Sequence, residues 1–238
     1  MNRIASSTLI GSAAIVAIVA GTCAPAFADG TSTPAPSAGK SLAVIQANAK
    51  VQTTARTGAL NTAIAKVNEA QDITASDRST ILATLNGDLA GMTTVEAKIA
   101  ADTTAATAAA DYKTIFTTYR VYAVAIPQSR FAAAADRLTS TTIPKLTDAQ
   151  TKLAAALAGP DASKSTAALQ ADLTDMSAQI SAATSDLNGV AARALAVTPA
   201  AFDANHAIMS PIRTSVTTAI ADLKKASSDA KTVLAAIK

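Results

Sequence analysis

The sequence predicts an all-α protein, an elongated antiparallel helical bundle or coiled coil of about six helices. Three observations carry that expectation. About a quarter of the 238 residues are alanine, the residue of highest helix propensity. Apolar residues recur at spacings of three and four instead of two. Proline, glycine and capping residues divide the chain at intervals that suit helices, and strand signals are missing throughout.

Composition narrows the function classes. Tryptophan is absent and aromatic residues make up 3% of the chain, so apolar burial has to come mainly from small side chains, and the core of a globular enzyme is not expected. Alanine removes little apolar area from water, which favours long helices packed closely. The formal charge is +3; Arg3 lies in the leader described next, so the remainder carries about +2, without a dense Lys/Arg run that would suit nucleic acid.

The first 28 residues read as a signal peptide. Arg3 supplies a positive n-region, Ile10 to Ala20 an apolar stretch too short to span a membrane stably, and Ala26-Phe27-Ala28 a small-x-small cleavage site. Cleavage is expected after Ala28, giving a secreted or extracytoplasmic chain without a transmembrane helix. Cys23, the one cysteine, follows Ala20, Gly21 and Thr22, but Thr22 and the lack of leucine three places upstream argue against lipoprotein processing. The mature chain would then have neither disulfides nor thiol chemistry. Residues 29–40 (DGTSTPAPSAGK) read as a flexible linker, whose serines and threonines would permit O-glycosylation.

From Ser41 to Lys238 a helical bundle is expected, in six stretches broken near Asp72, Asp102, Pro127, Gly159 and Pro199, organised either continuously or as two units meeting near 127. The first runs from about Ser41 to Gln71. The second opens at Thr74-Ala75-Ser76-Asp77, which has the form of a capping box, and the short turn between the two predicts a helical hairpin with arms of about 40 Å. Gly87 and Gly91 lie one turn apart and either weaken this helix or let another backbone come close; an alanine-rich chain favours close approach. The third stretch starts after Asp102-Thr103 and is expected to end before Pro127, where the fourth begins and continues to Leu157 with a kink at Pro144. Gly159-Pro160 is a stop, with Asp161 and Ser163 as candidate caps.

The fifth stretch carries a heptad seam of Leu169, Leu173, Met176, Ile180, Ala183, Leu187, Val190 and Ala194. After Thr198-Pro199 the last helix repeats it with Ile212, Val216, Ala219, Leu223, Ala226, Ala230, Val233 and Ile237. Helices of one chain and helices of two chains both satisfy this spacing; the short turns favour pairing within the chain, and a homo-oligomer stays open.

The residues that could carry chemistry are few. Tyr112, Phe116, Tyr119 and Tyr122, at spacings of four, three and three, would share one helical face, with Arg120 nearby to meet an anion and Phe131 joining beyond Pro127. They form either a binding patch for a sugar, peptide or lipid, or the bulky plug of an alanine core, and the area that rings bury favours the plug. Asp203, His206 and Ser210 would lie at i, i+3 and i+7 on a helix, an arrangement that superficially offers an acid, a base and a hydroxyl but lacks an oxyanion site, so no catalytic residue is expected. With one histidine and two glutamates, Glu69 and Glu96, and no calcium loop or phosphate loop, neither a metal nor another cofactor is expected. The polar helix faces are rich in Ser, Thr and Asp instead of Lys and Arg, which argues against strong membrane insertion.

The segments SDRSTILATLNGDLAGMTTVEAKIAADT (76–103), YRVYAVAIPQ (119–128) and HAIMSPIRTSVTTAIADLKKASSDAKTVLAAIK (206–238) resemble exported, alanine-rich helical proteins of actinobacteria. That resemblance implies source and compartment and carries over no catalytic residues. The expected function is a non-enzymatic secreted or cell-envelope interaction protein working through helical surfaces, with a protein or envelope component as partner. The alternative is a soluble carrier holding an apolar or aromatic ligand between helices near Tyr112 to Phe131; rings that line a cavity would favour it, rings that pack on each other would not. A hydrolase using His206 is the third reading.

Overall fold

The computed structural model describes Gly39 and residues 41–238. The expected leader over 1–28, with Cys23 and the cleavage position, and the linker over 29–40 apart from Gly39 lie outside the described residues. Within them the regular structure is helical throughout, which bears out the all-α expectation.

The first two helices, α1 (Leu42–Glu69) and α2 (Ala75–Ala101), are tied at both ends by side chains that reach the free backbone groups of the partner. Gln46, near the start of α1, donates its amide to the carbonyls of Ile99, Ala100 and Asp102 at 3.1 to 3.2 Å. At the other end Arg78 of α2 donates to the carbonyls of Val67, Asn68 and Ala70, placing a cation at the negative end of α1. Thr53 donates to Glu96 midway. The start of each helix therefore lies beside the end of the other.

The N-terminus of α2 is half of the expected capping box. Thr74 Oγ1 accepts from the Asp77 amide at 3.1 Å, but the Thr74 amide donates to Asp136 of a later helix, at 2.8 Å, and not to Asp77. A residue 62 positions away completes the cap.

Helix α3 (Ala105–Thr117), capped by Thr104, stops earlier than Pro127. Arg120, at φ +47°, turns the chain into the left-handed region, and its carbonyl accepts from the amides of Ala123, Val124 and Ala125 to open a π turn, Val121–Ala125. Helix α4 (Ile126–Arg137), a second π turn (Leu138–Thr142) and α5 (Ile143–Ala158) follow without a break. Pro127 and Pro144 each stand in the first turn after a π turn. A proline ring collides with the carbonyl four residues back in an α-helix, and those carbonyls, of Ala123 and Ser140, both lie inside the widened turns. The kink foreseen at Pro144 is thus a π turn just before it.

A 3₁₀ turn (Ala162–Lys164) leads to α6 (Ala167–Leu187), whose cap is Thr166, accepting from the Leu169 amide at 3.3 Å, in place of Asp161 or Ser163. The fifth stretch breaks where the heptad reading runs on: Gly189, at φ +66°, takes a left-handed conformation costly for any side chain, and α7 (Val190–Leu195) departs to pack on α4. The last stretch divides into α8 (Pro199–Ala204) and α9 (Ser210–Ile237). Every residue named in the two seams is buried, and α6 and α9 share the most extensive interface in the molecule, closed at one end by Lys164, which donates to the carbonyl of Ile237. Helix α4 packs against α1, α2, α7 and α9 and so lies where the elements meet.

Gly91 does admit a close neighbour, but that neighbour is a side chain, not a backbone. A Cβ there would come within 2.7 Å of Tyr119 Oη and closer still to the ring, whereas one at Gly87 would meet nothing within 4 Å. Replacing Gly91 with alanine should therefore cost about 1–3 kcal/mol, because the ring or α2 must shift, while Gly87→Ala should raise stability by about 0.5–1 kcal/mol through helix propensity alone. Urea unfolding of the two variants beside the parent checks the pair; equal effects would mean that Tyr119 is not seated on α2.

Candidate functional site

Tyr112, Phe116, Tyr119 and Tyr122 do not share one helical face, because α3 ends at Thr117. Three of them surround a residue the sequence reading passed over. Arg56 of α1, 7% exposed, places its guanidinium 4.6 Å from the Phe116 ring centre and 4.9 Å from that of Tyr122. Tyr112 meets Phe116 edge-on with centres 5.2 Å apart. Arg56 also donates to the carbonyl and the side-chain oxygen of Gln52, at 3.1 and 2.7 Å. Burial pulls the guanidinium below its ordinary pKa, and the hydroxyls of Tyr122 and Tyr112 oppose that shift. Burial likewise pushes Tyr112 up, with Arg56 opposing. The cation is thus held by π faces and amide oxygens, a contact worth about 2 kcal/mol for the buried Phe116 ring and about 0.5–1 kcal/mol for the exposed Tyr122.

The remaining patch residues go elsewhere. Tyr119 is seated on Gly91, and Phe131 is buried on α4. Arg120 faces the last third of the chain: its Nη2 pairs with Asp203 of α8, and its guanidinium lies 5.6 Å from the Phe202 ring centre. The anion that Arg120 meets is the protein's own. Phe202 in turn meets His206 edge-on at 5.0 Å. Asp203, His206 and Ser210 do not occupy one helix, since α8 ends at Ala204 and Ser210 opens α9. Asp203 is on Arg120, and His206 lies against a ring.

A cleft of about 500 Å³ opens where the start of α2, the end of α4 and the α6–α7 break converge. Asp77, Asp136, Thr139, Thr184, Ser185 and Asn188 supply its polar lining. Burial raises the pKa of Asp136; the hydrogen bond from the Thr74 amide opposes that, and the charge of Asp77 reinforces it. Another carboxyl, Asp88 of α2, is pushed up to about 6 by burial, and its Oδ2 is enclosed with no hydrogen-bond partner among the described residues.

Arg56, Asp88 and Asp136 left one signal in the sequence. Arg56 follows Ile45, Ala49 and Thr53 and precedes Leu60 and Val67 on the inner face of α1, and Asp88 lies between Leu85 and Met92 on that of α2. A charge on an apolar seam is the mark of a buried ionisable group. Nothing local identifies the distant groups: the rings over Arg56 and the Thr74 amide on Asp136.

Two outcomes follow. Phe116→Ala should cost about 3 kcal/mol or more as a core truncation, whereas Tyr122→Ala, whose ring is 43% exposed, should cost about 1 kcal/mol; denaturant unfolding measures both, and similar losses would place Tyr122 in the core. Asp88 binds its proton more tightly folded than unfolded, so its contribution works against the fold above about pH 6 and is relieved as pH falls through 6 toward the ordinary carboxylate range. Asp88→Asn should therefore raise stability at pH 8 by about 1 kcal/mol, allowing for partial exposure, and shrink the gain seen on moving from pH 8 to pH 5. Thermal unfolding at the two pH values checks the sign; a variant destabilised at pH 8 would mean that the ionised carboxylate is favourably held.

No protein-family model, curated protein or solved structure matches the chain.

Proposed function

We propose that this chain is a non-enzymatic, extracytoplasmic interaction protein, secreted or held at the cell envelope, that engages a partner through the outer face of α1. The observation that carries the reading is what that face leaves uncovered. Val44, Val51 and Tyr122 are exposed at 45%, 64% and 43%. Val44 and Val51 stand one heptad apart opposite the buried face of α1, in line with exposed Ala47, Thr54, Gly58 and Asn61. Those six positions follow a three–four spacing and carry no charge, which is the pattern a second helix can lie along. Tyr122, stacked on Arg56 of the inner face, adds a half-exposed ring outside that line.

The packing of Tyr112 and Phe116 on each other and on Arg56 supports an interaction surface over a carrier, since these faces are already covered. No described helix is long and apolar enough to cross a membrane. The leader read over 1–28 supports export, and the resemblance to exported alanine-rich proteins agrees with it.

The test is co-sedimentation with isolated cell envelopes of the purified chain and of a Val44→Ser/Val51→Ser/Tyr122→Ala variant, with circular dichroism to confirm folding. The parent should pellet, and the folded variant should pellet several-fold less. A parent that stays in the supernatant removes envelope association; a variant that pellets equally removes the α1 face.

A further inference from the structure

The segment from Thr198 to Ile208 is fastened to the rest of the molecule by very little. Between the buried Val197 and Met209, Phe202 is its one buried residue and Ile208 is partly buried against the core, and α8 has no extended interface with another of the described helices. Its hydrogen bonds are local. Thr198 Oγ1 accepts from the Ala201 amide at 3.1 Å, Asn205 Oδ1 from Ala207 at 3.0 Å, and the Asn205 carbonyl from Ile208 at 3.0 Å. A segment bonded in this way can lift as a unit without stripping backbone groups of their partners. Its polar anchor is the Arg120–Asp203 pair, beside the contact between the same guanidinium and Phe202.

The Arg120 side of that anchor is held in place. Arg120 is the one non-glycine residue at positive φ among the described residues, and its carbonyl gathers three amides of the π turn, so its backbone cannot relax without dissolving that turn. Its side chain is 15% exposed. A guanidinium offers carboxylates a pair of parallel N–H groups, and the strongest pairing uses two at once. Asp203 takes Nη2, while Nε is enclosed with no hydrogen-bond partner among the described residues. The edge formed by these two nitrogens is only half filled.

We propose that α8 is a displaceable strap and that the Nε/Nη2 edge of Arg120 is a carboxylate-binding site, with Asp203 standing where an acidic side chain of a partner would sit. Displacement couples the two events: a carboxylate that takes both nitrogens releases Asp203 and uncovers Phe202 beside the new contact. The strap is thus a closed state, and an acidic segment of a partner opens it. This holds whether or not the α1 face binds.

The experiment uses the purified chain and its Asp203→Asn variant. Hydrogen exchange is read along the backbone, and ¹⁵N NMR follows the Arg120 Nε–H while oligoglutamate is added, with oligoglutamine as the control. In the variant, amides of residues 198–208 should exchange about three- to fivefold faster, with those of α6 and α9 unchanged. The Nε–H signal should shift saturably with oligoglutamate alone, and at several-fold lower peptide concentration than in the parent. Unchanged exchange overturns the latch, and an Nε–H signal that ignores oligoglutamate overturns the carboxylate site. Should the variant not fold, rising salt on the parent decides the latch and the parent's own titration the site: selective acceleration of 198–208 supports the strap, uniform acceleration overturns it.

Discussion

Burying an alanine removes little apolar surface from water, and although the sequence leads one to expect a core of small side chains, Leu, Ile, Val and Met make up most of it; the alanines of a chain that is about a quarter alanine contribute where they let helices come close. Ala183, Ala194, Ala219 and Ala226 are fully enclosed on the faces of α6, α7 and α9, and Ala49, Ala108 and Ala132 on those of α1, α3 and α4. Close approach leaves little room for rings. The few present are therefore found at joints: Tyr119 over a glycine, Phe116 and Tyr112 about Arg56, Phe202 under Arg120. A ring at a joint fixes angles that smooth alanine faces cannot.

Smooth faces also say little about how far one helix should slide along another, and here the helix ends supply what the faces lack. Each end leaves backbone groups unpaired, and several are met by side chains from a different helix. Gln46 and Arg78 close the two ends of the α1–α2 pair, Asp136 closes the start of α2 from α4, and Lys164 closes the end of α9. Sliding α1 along α2 by one turn would break the Gln46 and Arg78 bonds together. Asp136 performs this role from a buried position that disfavours its charge, so the contact contributes more to alignment than to stability.

The breaks near Asp72, Asp102, Gly159 and Pro199 were legible because proline, glycine and capping residues act locally, and the two seams because burial on one helix face has a fixed period. What was not legible depends on residues distant in sequence. Gly91 says that something comes close, and Tyr119, 28 positions later, is not deducible from it. The break at Gly189 falls within an unbroken apolar period, because the period continues on α7 although its neighbour has changed from α9 to α4. The π turns escape for a related reason: a proline marks a point of strain, and whether the chain ends its helix or widens it depends on what α4 packs against. The aromatic spacing misled because it presumed a helix through Arg120, where the backbone turns left-handed.

That turn raises a question of side chain. Holding a non-glycine residue at φ +47° costs about 1–2 kcal/mol that a glycine would not incur. Against this stand a partly exposed ion pair, worth about 1 kcal/mol at most, and a cation–π contact of about 0.5–1 kcal/mol. These nearly cancel. A glycine at position 120 would make the same turn at similar stability, so the turn itself does not require arginine. What only the arginine supplies is a fixed cation where α8 meets the turn that opens at Arg120. The strain holds that cation in a set direction, and the unfilled nitrogen beside Asp203 shows that the intramolecular partner does not exhaust it.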